Sequence, residues 1–156
     1  MLNDSAYANK RASVRVTTAA STSSSGAQFA SDSASNWANG DAWTYSAWVK
    51  APTGARLQVS STASPATTSP ATITGTGGWQ RVSITGTFAG APTAGPSLAI
   101  RTPDTSQGAV TFYVGDVMLE KGTVATAYFD GETPAGGEMY AWACLLYTSP
   151  SPRDLS

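Results

Sequence analysis

Apolar and polar residues alternate with a period of two along most of this 156-residue chain, which is the pattern of β-strands that bury one face. No stretch shows a 3.6-residue period, so the pattern predicts an all-β domain of about seven short strands. The apolar members of the alternating segments form the predicted core: Val14 and Val16; Tyr45, Ala47 and Val49; Leu57 and Val59; Val82, Ile84 and Phe88; Leu98 and Ile100; Val110, Phe112 and Val114.

The alternation changes phase once, between Val114 and Val117. The intervening Gly115–Asp116 pair predicts a β-bulge that returns Val117 to the inner face. Pro52–Gly54 is typical of a tight turn, and we interpret it as a hairpin connection. Residues 19–40 are rich in small polar side chains but include Phe29 and Trp37, so part of this stretch is expected to pack. Many short strands joined by Gly and Pro turns predict a β-sandwich or jelly roll.

The charge balance argues against two classes of partner. Charged residues make up 12% of the chain, and nine basic against ten acidic side chains give a net charge of −1. A protein with this balance lacks the basic surface that nucleic acid or an anionic membrane requires, so neither is predicted as a partner. The N-terminal residues 1–4 lack the basic start and the apolar stretch of a secretory signal, and no apolar run is long enough to enter a membrane.

The last residues differ in composition from the Thr-, Ala- and Gly-rich sequence before them. The run from Cys144 to Asp154 resembles the conceptual translation of a transposase-type sequencing adapter. We therefore expect one domain in residues 1–143, truncated at its C-terminal end, and an adapter artefact in residues 144–156. The single cysteine belongs to the artefact, so no disulfide is expected.

The residue types present in this sequence offer few candidates for catalysis. The chain has no histidine, which removes the commonest general base and the usual transition-metal ligand. The carboxylates fall mostly in turns, and no pair stands out as the acid and base of a glycosidase. The Gly-rich run 73–79 lacks the Lys of a phosphate loop. Asp116 alone is far short of a calcium site, so the sequence predicts neither an enzyme nor a cofactor.

A binding surface is the better-supported prediction. Several basic residues share the outward parity of the strands with two aromatic residues, and flat rings stack on sugars while basic side chains bond sugar hydroxyls. The predicted carbohydrate-binding residues are Trp48, Lys50, Arg81, Arg101 and Tyr113. The competing interpretation is that an Arg merely covers a structural Trp, and parity does not say which residues share a sheet. Trp43 and Trp79 each open a strand, and we interpret both as lids on the core.

Three segments together carry a family resemblance: residues 43–51, 78–83 and 112–122. They resemble the carbohydrate-binding modules of the family 4/9 type, which implies a galactose-binding-like jelly roll and a polysaccharide ligand. Residues 125–134 with 140–142 look like the end of such modules in minor tail proteins of bacteriophages. That resemblance implies a place in the virion tail, with host cell-surface glycan and other tail proteins as partners.

Three interpretations remain open at this level. The domain is either a glycan-binding tail module or a purely structural virion module that binds only other tail proteins. A third possibility is an accessory carbohydrate-binding module of a secreted, extracellular glycoside hydrolase, which needs a catalytic domain on the same chain. Fold alone does not separate these, because one fold hosts many functions.

Overall fold

Nine β-strands make up the regular structure of residues 13–127, the part of the chain that this computed structural model describes. A single 3-10 turn, Ala34–Asn36, precedes the third strand, and this part of the chain holds no α-helix. The strands are β1 (Val14–Thr17), β2 (Gly26–Ser31), β3 (Ala42–Lys50), β4 (Arg56–Ser60), β5 (Ala66–Thr67), β6 (Ala71–Thr74), β7 (Trp79–Phe88), β8 (Ser97–Arg101) and β9 (Thr111–Lys121).

The strands form two antiparallel sheets, in the orders β1-β9-β3-β7-β5 and β2-β8-β4-β6. Consecutive strands lie in different sheets throughout, so every connection crosses from one layer to the other. The prediction of an all-β sandwich is therefore confirmed, while its assignment to the galactose-binding-like jelly rolls stays a prediction. The hairpin predicted at Pro52–Gly54 is wrong: β3 is already paired on both sides, with β7 and β9, so β4 joins the other sheet.

The core lies between the inner faces of the two sheets and consists of the side chains that parity selects. Of the predicted set only Val14 is exposed, at 54%, because it lies at the start of a short edge strand. The bulge is confirmed: the β3–β9 register shifts between Ser46 and Trp48, and Asp116 has a φ of 49°. Val117 and Leu119 follow it and pack against the core.

Part of the polar stretch 19–40 packs as expected. Its residues 26–31 form β2, which pairs with β8. Trp37 is buried, and its ring lies 5.8 Å from that of Phe88. The indole Nε1 donates a hydrogen bond of 2.8 Å to Asp32 Oδ2, so the residue that follows β2 is tied to the residue that follows the 3-10 turn.

No helix among the described residues has the length and apolar character needed to cross a membrane. The predicted domain end at Ala143 and the adapter-like run from Cys144 onward lie outside the described residues.

Candidate functional site

Four of the five predicted site residues lie on one surface, the outer face of the five-stranded sheet. Trp48 on β3 stands opposite Arg81 on β7, and Lys50 stands opposite Tyr113 on β9. These positions alternate with buried neighbours such as Val49, so their side chains leave the sheet on the side away from the core. The sheet thus brings together residues that are more than sixty positions apart in the chain.

One line of side chains crosses this face from strand to strand, and we call it the cross-strand row: Arg15, Tyr113, Lys50 and Trp79. Arg15 pairs with Tyr113, Tyr113 with Lys50, and Lys50 with Trp79. Neighbouring strands lie about 4.8 Å apart, so the row spans roughly 15 Å and alternates cation and aromatic ring. It has the composition of a surface that stacks a ring and bonds its substituents.

The members of the row differ in accessibility. Arg15 is exposed, Lys50 is half-buried, and Trp79 is only 7% exposed. Tyr113 is 36% exposed, which makes it the most exposed aromatic side chain between residues 13 and 127. A ligand approaching this face therefore meets the Tyr113 ring between the Arg15 and Lys50 cations, with half-buried Trp48 in the adjacent row.

The sequence predicts that Trp79 is a lid on the core, but the register places it on the outer face of the sheet, away from the core. It stands beside Lys50 and lies outside the cluster of core side chains. The signal for this position was available, because Trp79 has the parity of Arg81 and not that of Val82. Trp43 was given the same interpretation, and it lies inside the core with no exposed surface.

Arg81 belongs to the face but is engaged by the chain itself. Its Nη2 donates to Ser46 Oγ at 3.0 Å and to the carbonyl oxygen of Thr126. Thr126 in turn donates its backbone N–H to the Glu120 carboxylate at 3.1 Å. These bonds hold residues 122–126, which we call the return segment, against the end of the face distant from Lys50.

The return segment explains why outward-pointing residues of β3 are buried. Thr44 Oγ1 donates to the carbonyl oxygen of Gly122 at 2.8 Å, and both Thr44 and Ser46 are 1% exposed. The outer face is thus divided into a covered end around Thr44 and an end that carries the cross-strand row.

Arg101 is separated from the other predicted residues. It ends β8 in the four-stranded sheet, where it pairs with Gln58 and Gly26. Its Nη2 donates to Gln28 Oε1 at 3.4 Å on the outer face of that sheet. The sandwich core therefore lies between Arg101 and the cross-strand row, and one ligand cannot contact both across it.

A cleft of about 450 Å³ opens between the two sheets and is mainly apolar. Its lining consists of Phe29, Ser31, Asp32, Tyr45, Val117 and Leu119. Burial, reinforced by the negative charge of Asp32, raises the pKa of Tyr45 to about 12. Burial would raise the pKa of Asp32, but hydrogen bonds from Asn36, Ser33 and Trp37 outweigh it and lower the pKa. Near neutral pH the Asp32 carboxyl is therefore ionised and the Tyr45 hydroxyl is protonated.

Asp116, the residue considered for calcium, occupies the bulge with a half-buried side chain. Across residues 13–127, no group of three or more side chains of the metal-ligating types lies close enough together to hold an ion.

Comparison with known proteins gave one structural similarity. No family model matches the sequence, and no curated protein matches it. The fold is similar to a solved structure of the tripod (BppUct-A-L) from the baseplate of bacteriophage Tuc2009, at 18% sequence identity and a TM-score of 0.43. The similarity covers 75% of this chain and 48% of that one, so this chain spans about half the length of the neighbour.

Proposed function

We propose that this domain is a non-catalytic module that binds carbohydrate on the outer face of its five-stranded sheet, as part of a phage tail that contacts host cell-surface glycan. The observation that carries the proposal is the position of Tyr113. Its ring is exposed on a strand of the sheet and is flanked by Arg15 on one neighbouring strand and Lys50 on the other.

This arrangement suits a sugar for two physical reasons. An exposed ring fixed on a β-strand presents a flat apolar surface without the entropy cost of ordering a loop, and sugars have apolar faces that stack on such rings. The flanking cations supply only hydrogen-bond donors, which sugar hydroxyl and carboxyl oxygens accept. Trp48, half-buried in the adjacent row, extends the apolar surface.

The proposal rests on fewer residues than the sequence singled out. Arg81 already bonds Ser46 and Thr126, and Arg101 lies on the other sheet. The proposed ligand contacts are therefore Tyr113, Lys50 and Trp48, with Arg15 added by the register.

The place in a phage tail is supported by the resemblance of residues 125–134 with 140–142 to the end of carbohydrate-binding modules in minor tail proteins of bacteriophages. In that setting other tail proteins are partners and the domain acts on the virion. The absence of histidine from the sequence, which removes the commonest general base, supports a non-catalytic role.

A glycan array probed with the purified chain tests the proposal. We expect binding to at least one cell-surface polysaccharide and a loss of about tenfold in affinity, or 1.4 kcal/mol, for Tyr113→Ala. Ser83→Ala is the matched control, because Ser83 is exposed on the same face but lies away from the row. Absence of binding to every glycan, or equal affinity of the Tyr113→Ala and wild-type proteins, would contradict the proposal.

A further inference from the structure

We infer that the glycan recognised by the cross-strand row is acidic, and specifically that its sugar rings carry carboxylate groups. This inference rests on the proposed function and specifies its ligand class. It starts from the charges around Tyr113, which form no ion pair within residues 13–127.

Arg15 and Lys50 make no ion pair and no side-chain hydrogen bond within the described part of the chain, where the ion pairs are Arg56–Asp104 at 2.8 Å and Lys121–Asp41 at 3.3 Å. The row itself contains no acidic residue. Two positive charges therefore flank one exposed ring, in a chain whose overall net charge is −1.

The acidic residues of β9 do not cancel these charges. Glu120 pairs with Thr44, six residues along β3 from Lys50, which is roughly 20 Å at the rise of a β-strand. That separation exceeds the Debye length of about 8 Å at physiological ionic strength. Glu120 also accepts hydrogen bonds from Thr126. Asp116 is nearer, in the bulge, but its Oδ2 atom is buried, so that carboxylate oxygen does not face a ligand stacked on Tyr113.

The alternation of cations and aromatic rings favours one class of polymer over others. A sugar stacked on Tyr113 places its substituents over the neighbouring strands, about 4.8 Å to either side, where Arg15 and Lys50 lie. A guanidinium group matches the two oxygens of a carboxylate with paired hydrogen bonds. A polyol phosphate offers the anion but no ring for Tyr113. A neutral sugar offers the ring and hydroxyl acceptors but no opposite charge, so the two cations are partly desolvated without a counter-charge, which costs binding energy. A sugar ring that carries a carboxylate offers both the ring that stacks on Tyr113 and the negative charge that Arg15 and Lys50 bind.

The test compares polymers that differ only in charge, using the full chain. Calorimetric titrations with polygalacturonate, hyaluronan and polysialic acid are paired with the same polymers after methyl esterification. We expect at least one acidic polymer to bind about tenfold more tightly than its ester, and this preference to fall between about 50 mM and about 300 mM salt. Arg15→Gln and Lys50→Gln should each reduce the preference, while Lys121→Gln, which neutralises a cation already paired with Asp41, should leave it unchanged.

The possible failures are distinguishable. Equal, salt-independent affinity for an acidic polymer and its ester would overturn the acidic class and leave glycan binding intact. Tighter binding of poly(glycerol phosphate) than of every carboxylated polymer would overturn the choice of carboxylate. Binding only to neutral glycans on the array would overturn this inference alone, and binding to no glycan at all would overturn the proposed function with it.

Discussion

The indole ring of Trp43 occupies the space above Gly86, its partner across the β3–β7 ladder. A Cβ atom added to Gly86 would lie 2.4 Å from Trp43 Cζ2 and 3.1 Å from Thr68 Cβ. Trp43 has no exposed surface, so its ring cannot swing into solvent to make room. The largest fully buried side chain therefore depends on the absence of a side chain on the neighbouring strand.

Gly86→Ala should destabilise the domain by about 1–3 kcal/mol, the usual cost of overpacking a tightly filled core. The free energy of unfolding from urea denaturation measures the change. Gly108→Ala is the control, because an added Cβ there meets no atom within 4 Å, and its stability should stay the same or rise slightly. Equal destabilisation of the two variants would show that Trp43 does not require Gly86.

Asp32 makes a second contribution to the stability of the fold, and this contribution depends on pH. Its carboxylate accepts hydrogen bonds from Trp37 Nε1 at 2.8 Å and from Asn36 Nδ2 at 2.7 Å. Asp32→Asn should cost on the order of 1–2 kcal/mol at about pH 7, because an amide nitrogen replaces one accepting oxygen.

The pKa of Asp32 is lowered from 3.8 in the folded protein, so its stabilisation is present above about pH 4 and is lost as the pH falls through the folded value. The stability gap between Asp32→Asn and wild type should therefore narrow as the pH falls below the ordinary value of 3.8, as measured by urea unfolding at each pH. A gap of constant size across this range would contradict a role for the charge.

Period-two patterning was sufficient to predict which side chains of β3, β7 and β9 face the core, because alternation along a strand is a local property of the backbone. It could not predict that Arg101 and Lys50 lie on different sheets, since sheet membership depends on which strands pair over long distances. Trp79 shows the opposite case: its parity with Arg81 indicates the outer face, and the register places it there beside Lys50, although its side chain is only 7% exposed.

The burial of Thr44 and Ser46 likewise could not be predicted from the alternation of apolar and polar residues. Both have outward parity, and both are covered because the chain returns over the face after β9. This covering depends on bonds between Arg81, Glu120 and Thr126, which are not marked by any local sequence signal. The accessible part of a sheet face is a tertiary property, which is why Arg81 was predicted as a ligand contact and Arg15 was not.

The return segment provides a third prediction. Glu120→Ala removes the acceptor of the Thr126 backbone N–H, so hydrogen exchange of that amide should accelerate about tenfold. Glu120→Gln retains a side-chain oxygen acceptor and should recover part of the protection. Nuclear magnetic resonance resolves the exchange rate of Thr126 from that of exposed Gly108, which lies outside the return segment and serves as the internal reference. An unchanged rate for Thr126 in both variants would show that Glu120 does not hold the segment.

The two outer faces of the sandwich can be distinguished by one pair of variants. Lys50 belongs to the cross-strand row and Arg101 to the opposite surface, and each is a partly exposed cation near the end of a strand. Lys50→Ala should weaken glycan binding by about fivefold to tenfold. Arg101→Ala should change the affinity by less than about twofold, because its long hydrogen bond to Gln28 lies on the other side of the core. Both variants should unfold within about 0.5 kcal/mol of wild type, as expected for surface substitutions. The reverse pattern of affinities would move the binding site to the four-stranded sheet and exclude Tyr113 from it.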